Sequence, residues 1–142
     1  MKSIMLLIVV AIVFVSCGTT QDTKSMNPIT LNDLQHHNFV LISVDGISPT
    51  TPGPNLEFGE NRHISGAMCN RFMGQGELKD GVLTAKELAS TRMLCSDEQL
   101  NQWDKLIGEV LQKGVKITLD KGQLVLTHGP HTLIYRQKDW VG

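Results

Sequence analysis

The sequence predicts an α+β fold: a strongly curved antiparallel sheet, open and barrel-like, packed on one main helix at about residues 97–113. Three observations lead there. Only one stretch, Leu100, Trp103, Ile107, Val110 and Leu111, keeps apolar residues at helical spacing over several turns. Short apolar or alternating runs bounded by Asp-Gly, Lys-Gly or Gly-Pro fill most of the remainder. The C-terminal part is strand-like throughout, so that many strands stand against a single helix.

The elements follow in order. Lys2, the apolar run Ile4 to Val15 and the small Ser16 have the layout of a secretory signal. The run is shorter than the roughly 20 apolar residues that span a bilayer core. Phe14-Val15-Ser16-Cys17 resembles the lipobox of bacterial lipoproteins. Residues 1–16 are therefore expected to be removed and Cys17 to carry lipid, an anchoring role. Several acyl chains hold a protein far more firmly than the marginal binding of one. Gly18, where an Asp tends to retain lipoproteins at the inner membrane, suggests the outer membrane, with the domain facing the periplasm. Residues 17–28 then form the lipidated cysteine and a polar, flexible tether.

Residues 29–142 make a single domain. Thr30 is a candidate cap for a short helix from Leu31 to His36. Phe39 to Val44 reads as a buried strand ending at the Asp45-Gly46 turn. Three prolines and a glycine between Ser48 and Asn55 predict a loop. Leu56-Glu57-Phe58 and His63-Ile64-Ser65 are short strands. Asp80-Gly81 before Val82-Leu83-Thr84 is a hairpin signal. Ala89 to Cys95 is ambiguous. Ser96 with Gln99 three residues on has the form of a capping box for the main helix, and Lys113-Gly114 suits its end. Val115–Leu119, Gln123–Thr127 and Thr132–Arg136 form an antiparallel meander with one wet face.

Charge bounds the partners. The chain carries 13 basic and 14 acidic residues, and loss of Lys2 leaves the mature net charge at −2. No basic excess exists to bind phosphate backbones, so nucleic acid is excluded as a partner class. With Cys17 lipidated, Cys69 and Cys95 remain as a pair. In an oxidising compartment a disulfide is expected, with free thiols or a two-cysteine metal site as the alternatives.

Catalytic signatures are absent. The chain has no G-x-S-x-G elbow, phosphate-binding loop or dinucleotide fingerprint, and acid pairs such as Asp97-Glu98 fit a helix start. No enzyme activity, catalytic residue, cofactor or metal is expected. His128 and His131, flanking Gly129-Pro130, are cross-strand neighbours able to chelate a soft divalent ion, or else plain turn residues. Ile64 to Gly76 is the unusual cluster. There Asn70 is suited to bonding backbone, and Arg71 to a carboxylate or an anion. The bland reading is a disulfide-stapled loop covering the sheet end.

Three pieces resemble the META domain: Gly66-Ala-Met-Cys-Asn-Arg-Phe-Met-Gly-Gln-Gly76, Leu83-Thr84-Ala85, and Ala89-Ser-Thr-Arg-Met-Leu-Cys95. Leu34 to Leu41 adds to the match, and the likeness is strongest to the branch of heat-shock lipoproteins from enteric bacteria. It covers roughly residues 29–138. The resemblance implies a curved-sheet α+β fold and no known enzyme activity. It also implies loosely described roles in envelope stress and antibiotic tolerance. Its motif residues, Gly66, Asn70, Arg71, Gly74, Thr91 and Arg92, come with no assigned role. Two functions are expected from this. One is an envelope protein that binds another envelope component under stress. The other is a small apolar ligand or lipid binder, with a cavity between sheet and helix.

Overall fold

Only Gly76 separates strand β4 (Arg71–Gln75) from strand β5 (Glu77–Lys79), yet these strands lie near opposite ends of one sheet. The computed structural model, which describes residues 28–139, resolves this by curling the sheet into a half-barrel, which brings β4 and β5 together at Gly76 while β7 stays an edge. The other elements are α1 (Leu31–Leu34), β1 (His37–Val44), β2 (Asn55–Phe58), β3 (His63–Ala67), β6 (Val82–Thr84), β7 (Ala89–Ser90), α2 (Glu98–Lys113), β8 (Val115–Asp120), β9 (Gln123–His128) and β10 (His131–Gln137). Ten antiparallel strands run in the order β5-β6-β8-β9-β10-β1-β2-β3-β4-β7. At the seam Gly76 N–H donates to Arg62 O at 2.8 Å. A Cβ on Gly76 would overlap the buried Ile64 side chain and crowd Leu83, so glycine lets these two side chains pack into the corner. The α+β half-barrel matches the expected architecture.

Local chemistry explains the turns. Asp80-Gly81 and Lys121-Gly122 both hold positive φ at two successive residues, the geometry that suits tight hairpins. Val44 and Ile47 bond each other across Asp45-Gly46, 2.9 Å each way. Strand β1 contains a bulge between Leu41 and Ser43. The extra residue shifts the alternation, so Phe39, Leu41 and Val44 face the core while Ile42 is left exposed. Two His–Asp contacts clasp the β1–β10 pair at its ends: His37 Nδ1 to Asp139 at 3.0 Å and His131 Nδ1 to Asp45 at 2.7 Å.

Helix α2 buries Trp103, Ile107, Val110 and Leu111 against Phe39, Leu56, Leu124, Leu133 and Tyr135 in one continuous core. The Tyr135 hydroxyl lies wholly inside without a hydrogen-bond partner among the described residues, and burial raises its pKa. Two expectations need correction. The cap of α2 is Asp97, not Ser96: its side chain accepts from Gln99 N–H at 3.0 Å, and Leu100 therefore sits at the third helical position, so no capping box forms. Asp97 also accepts from Thr50 Oγ1, which ties the proline-rich loop to the helix start. Helix α1 stops at Leu34, short of His36, because Gln35 is extended and His36 has a φ of 68°. The signal segment 1–16, the lipid site Cys17 and residues 18–27 of the tether lie outside the described residues.

Candidate functional site

Strand β3 reverses into β4 over Met68, Cys69 and Asn70. Met68 turns inward and is buried. That leaves the N–H groups of Cys69 and Asn70 without strand partners, and one carboxylate takes both. Asp104 Oδ1, on α2, accepts from Cys69 N at 2.9 Å and Asn70 N at 3.0 Å, while Oδ2 accepts from Asn70 Nδ2 at 2.7 Å.

Asn70 uses the remainder of its amide on the segment after β7. Its Oδ1 accepts from Thr91 Oγ1 at 2.8 Å and from Met93 N at 2.6 Å, and its Nδ2 donates to Met93 O at 3.0 Å. A side-chain amide thus meets both backbone groups of Met93, as a neighbouring strand would. Asn101 repeats the device. Its Oδ1 accepts from Cys95 N at 3.0 Å, and its Nδ2 donates to Cys95 O at 2.9 Å. Thr91 N donates to Arg71 O, and the Thr91 hydroxyl accepts from Arg71 N at 3.1 Å.

Cys69 and Cys95 form a disulfide across the same junction, with their Cα atoms 6.0 Å apart. Both sulfurs are consumed, so the free-thiol and metal alternatives fall. Closing a loop of this length stabilises by roughly 3–4 kcal/mol in the chain-entropy picture. Residues 91–95 are therefore held without regular secondary structure, by one disulfide and the side chains of two asparagines and a threonine.

That locked segment carries two apolar side chains into solvent. Met93 is 64% exposed and Leu94 88% exposed. Beside it, between β7 and α2, lies a cleft of about 210 Å³, floored by Phe72 and Ile107 and rimmed by Asn70, Ser90 and Lys105. Gly108 opens it: a Cβ there would meet nothing within 4 Å. Asn101, Asp104 and Gly108 share one ridge of α2, so the helix supplies two clamps and the gap from a single flank.

The other motif residues divide by role. Gly66 lies directly under the Phe72 ring and the Asn55 carbonyl, and a Cβ would overlap both. Gly74 gives room to the Glu87 carbonyl and Leu88. Arg71 lies on the outer face, in a groove of about 720 Å³ that also holds Glu57, Lys138 and Asp139. Among the described residues Arg71 and Arg92 make no ion pair. His128 and His131 are register partners, as expected, but their Nδ1 atoms face different groups, Gly114 O at 2.8 Å and Asp45. Among the described residues no three His, Cys, Asp or Glu side chains converge as metal ligands.

Sequence reasoning missed Asn101, Asp104, Gly108, Met93 and Leu94. The only local signal was polar residues at helical spacing beside the apolar stripe, which a solvated face shows equally.

Comparison with known proteins agrees with this architecture. A family model described as the META domain matches residues 32–140. The heat shock protein HslJ of Escherichia coli strain K12 is 41% identical over 141 residues, covering 98% of both chains. A protein structure solved by NMR superposes with a TM-score of 0.70 at 48% identity, covering 76% of this chain and 94% of that one. A second NMR structure, from Burkholderia xenovorans, gives 0.60 at 25% identity, over 79% and 90%.

Proposed function

The chain belongs to the META-domain family, and from that premise we propose that it is a non-enzymatic envelope protein acting under heat or antibiotic stress. It is held at the outer membrane by lipid on Cys17, faces the periplasm, and works by binding another envelope protein. The stress role rests on the likeness to the heat shock protein HslJ. The anchor rests on the lipobox-like Phe14-Val15-Ser16-Cys17.

The observation that carries partner binding is the exposure of Met93 and Leu94 on a backbone locked by Asn70, Asn101 and the disulfide. Burying such a side chain yields roughly 1.5–3 kcal/mol. A preorganised backbone loses little freedom on docking, so most of that gain survives as affinity. The small-ligand alternative draws less support. The space between α2 and the sheet is filled by Trp103, Ile107, Val110 and Leu111. The cleft beside the helix, about 210 Å³, is below the roughly 300–1,000 Å³ of small-molecule sites. It suits one large side chain.

The test is complementation in a strain lacking the protein. The Met93→Ser/Leu94→Ser double variant is expected to melt like wild type yet fail to restore survival after heat shock. Full restoration by a correctly exported double variant would overturn the reading.

A further inference from the structure

Beside the exposed pair, the sheet ends in an open edge. Resting on the partner-binding role above, we propose that the outer edge from Ser90 to Arg92 receives an extended segment of the partner protein as an added strand, with one large apolar side chain seated in the cleft over Gly108.

The backbone supplies the first argument. Strand β7 is the last in the sheet order, so one of its edges is unpaired. Thr91 N donates inward to Arg71 O, and Met93 N donates inward to the Asn70 side chain. Ser90 pairs with Phe72 on its inner side, and between the inward-turned Thr91 N–H and Met93 N–H the Arg92 N–H makes no hydrogen bond among the described residues. The edge from Ser90 to Arg92 is held in place by these inward bonds. Main-chain pairing with an open edge gives affinity, and pockets for alternate side chains give specificity.

Gly108 supplies the second. Glycine is the weakest helix former short of proline. Here no contact demands it, since a Cβ would meet nothing within 4 Å. What its absent side chain provides is the open volume above Phe72 and Ile107. A strand laid along Ser90 and Arg92 turns alternate side chains toward that opening.

Charge supplies the third. Two charged side chains line the cleft, Asp104 and Lys105. The Asp104 carboxylate is taken up by Cys69 and Asn70, while Lys105 makes no salt bridge among the described residues. The segment that Lys105 fits bears a carboxylate close to its apolar anchor. The edge strand itself is only two residues long, which guards against indiscriminate pairing.

The experiment pans a phage-displayed library of random twelve-residue peptides against the full mature lipoprotein. The most enriched peptide is then titrated by calorimetry and amide hydrogen exchange. The expected winners carry a large apolar residue next to Asp or Glu. Binding should protect the Arg92 amide from exchange. It should weaken about tenfold or more in Gly108→Leu, as loss of an anchor contact does. Lys105→Glu, an exposed change, should weaken it too, which covers any folding defect in Gly108→Leu. No enrichment, or binding that leaves that amide unprotected or survives both substitutions, overturns strand addition. Should the Met93→Ser/Leu94→Ser variant lose function in cells while no peptide occupies the cleft, the partner-binding role stands and only strand addition falls.

Discussion

Asp45 shows how much one exposed side chain does in this fold. It takes a positive φ of 51° in the turn after β1, accepts from Thr132 N at 2.7 Å, and meets the His131 ring at 2.7 Å. The hydrogen bond with His131, then that from Thr132, holds its carboxyl below the usual carboxylate range. A carboxyl depressed in the folded state stabilises above its unfolded pKa of about 3.9, and that stability is lost as pH falls through the lower folded value. Melting temperature should therefore fall between about pH 5 and about pH 3, with a shallower slope in Asp45→Asn. Parallel melting curves for wild type and variant would remove Asp45 from the account. Asn70 works by different means, through the hydrogen bonds of an uncharged amide to backbone groups and to the Asp104 carboxylate. Its capacity to bond backbone is legible in the residue type, but its partners Met93 and Asp104 lie 23 and 34 positions away. Nothing local announces such contacts.

Elements were more legible than their ends. The period of Leu100 to Leu111 identified α2, because burial of one stripe against a sheet demands that spacing. The Asp80-Gly81 and Lys121-Gly122 turns were legible because few residue pairs tolerate positive φ twice. The cap was not, since Ser96 and Asp97 are adjacent and both are good cap formers. Geometry decides for Asp97, which accepts from Gln99 N–H and from Thr50. Asp97→Ala should cost about 1 kcal/mol in denaturant unfolding, a typical value for a lost cap, and Ser96→Ala should cost near nothing. The reverse ranking would mean that the helix starts one residue earlier. Within the ambiguous stretch Ala89 to Cys95, residues 91–95 were unreadable for a related reason. Their order comes from side chains of a turn and of a helix, and it leaves no periodicity in the segment itself.

At the scale of the molecule, curvature brings the pieces together. The sheet curls until β4 passes into β5 through Gly76 alone. That places the β3–β4 turn against α2, where Asp104 receives it. The disulfide and Asn101 then bind residues 91–95 to the same corner. The family resemblance anticipated the curved sheet and the special residues, and the cysteine count anticipated the bridge. Neither indicated that the motif would display Met93 and Leu94 rather than enclose a cavity, because exposure is set by contacts distant in sequence. The most direct measurement is photocrosslinking from position 94, through a benzophenone amino acid, in intact cells after heat shock, with position 121 as the exposed control. The account predicts a discrete protein adduct from position 94, absent from position 121 and lost when Asn70→Ala frees the Met93 backbone. Adducts with phospholipid alone, the same adducts from both positions, or none would contradict it.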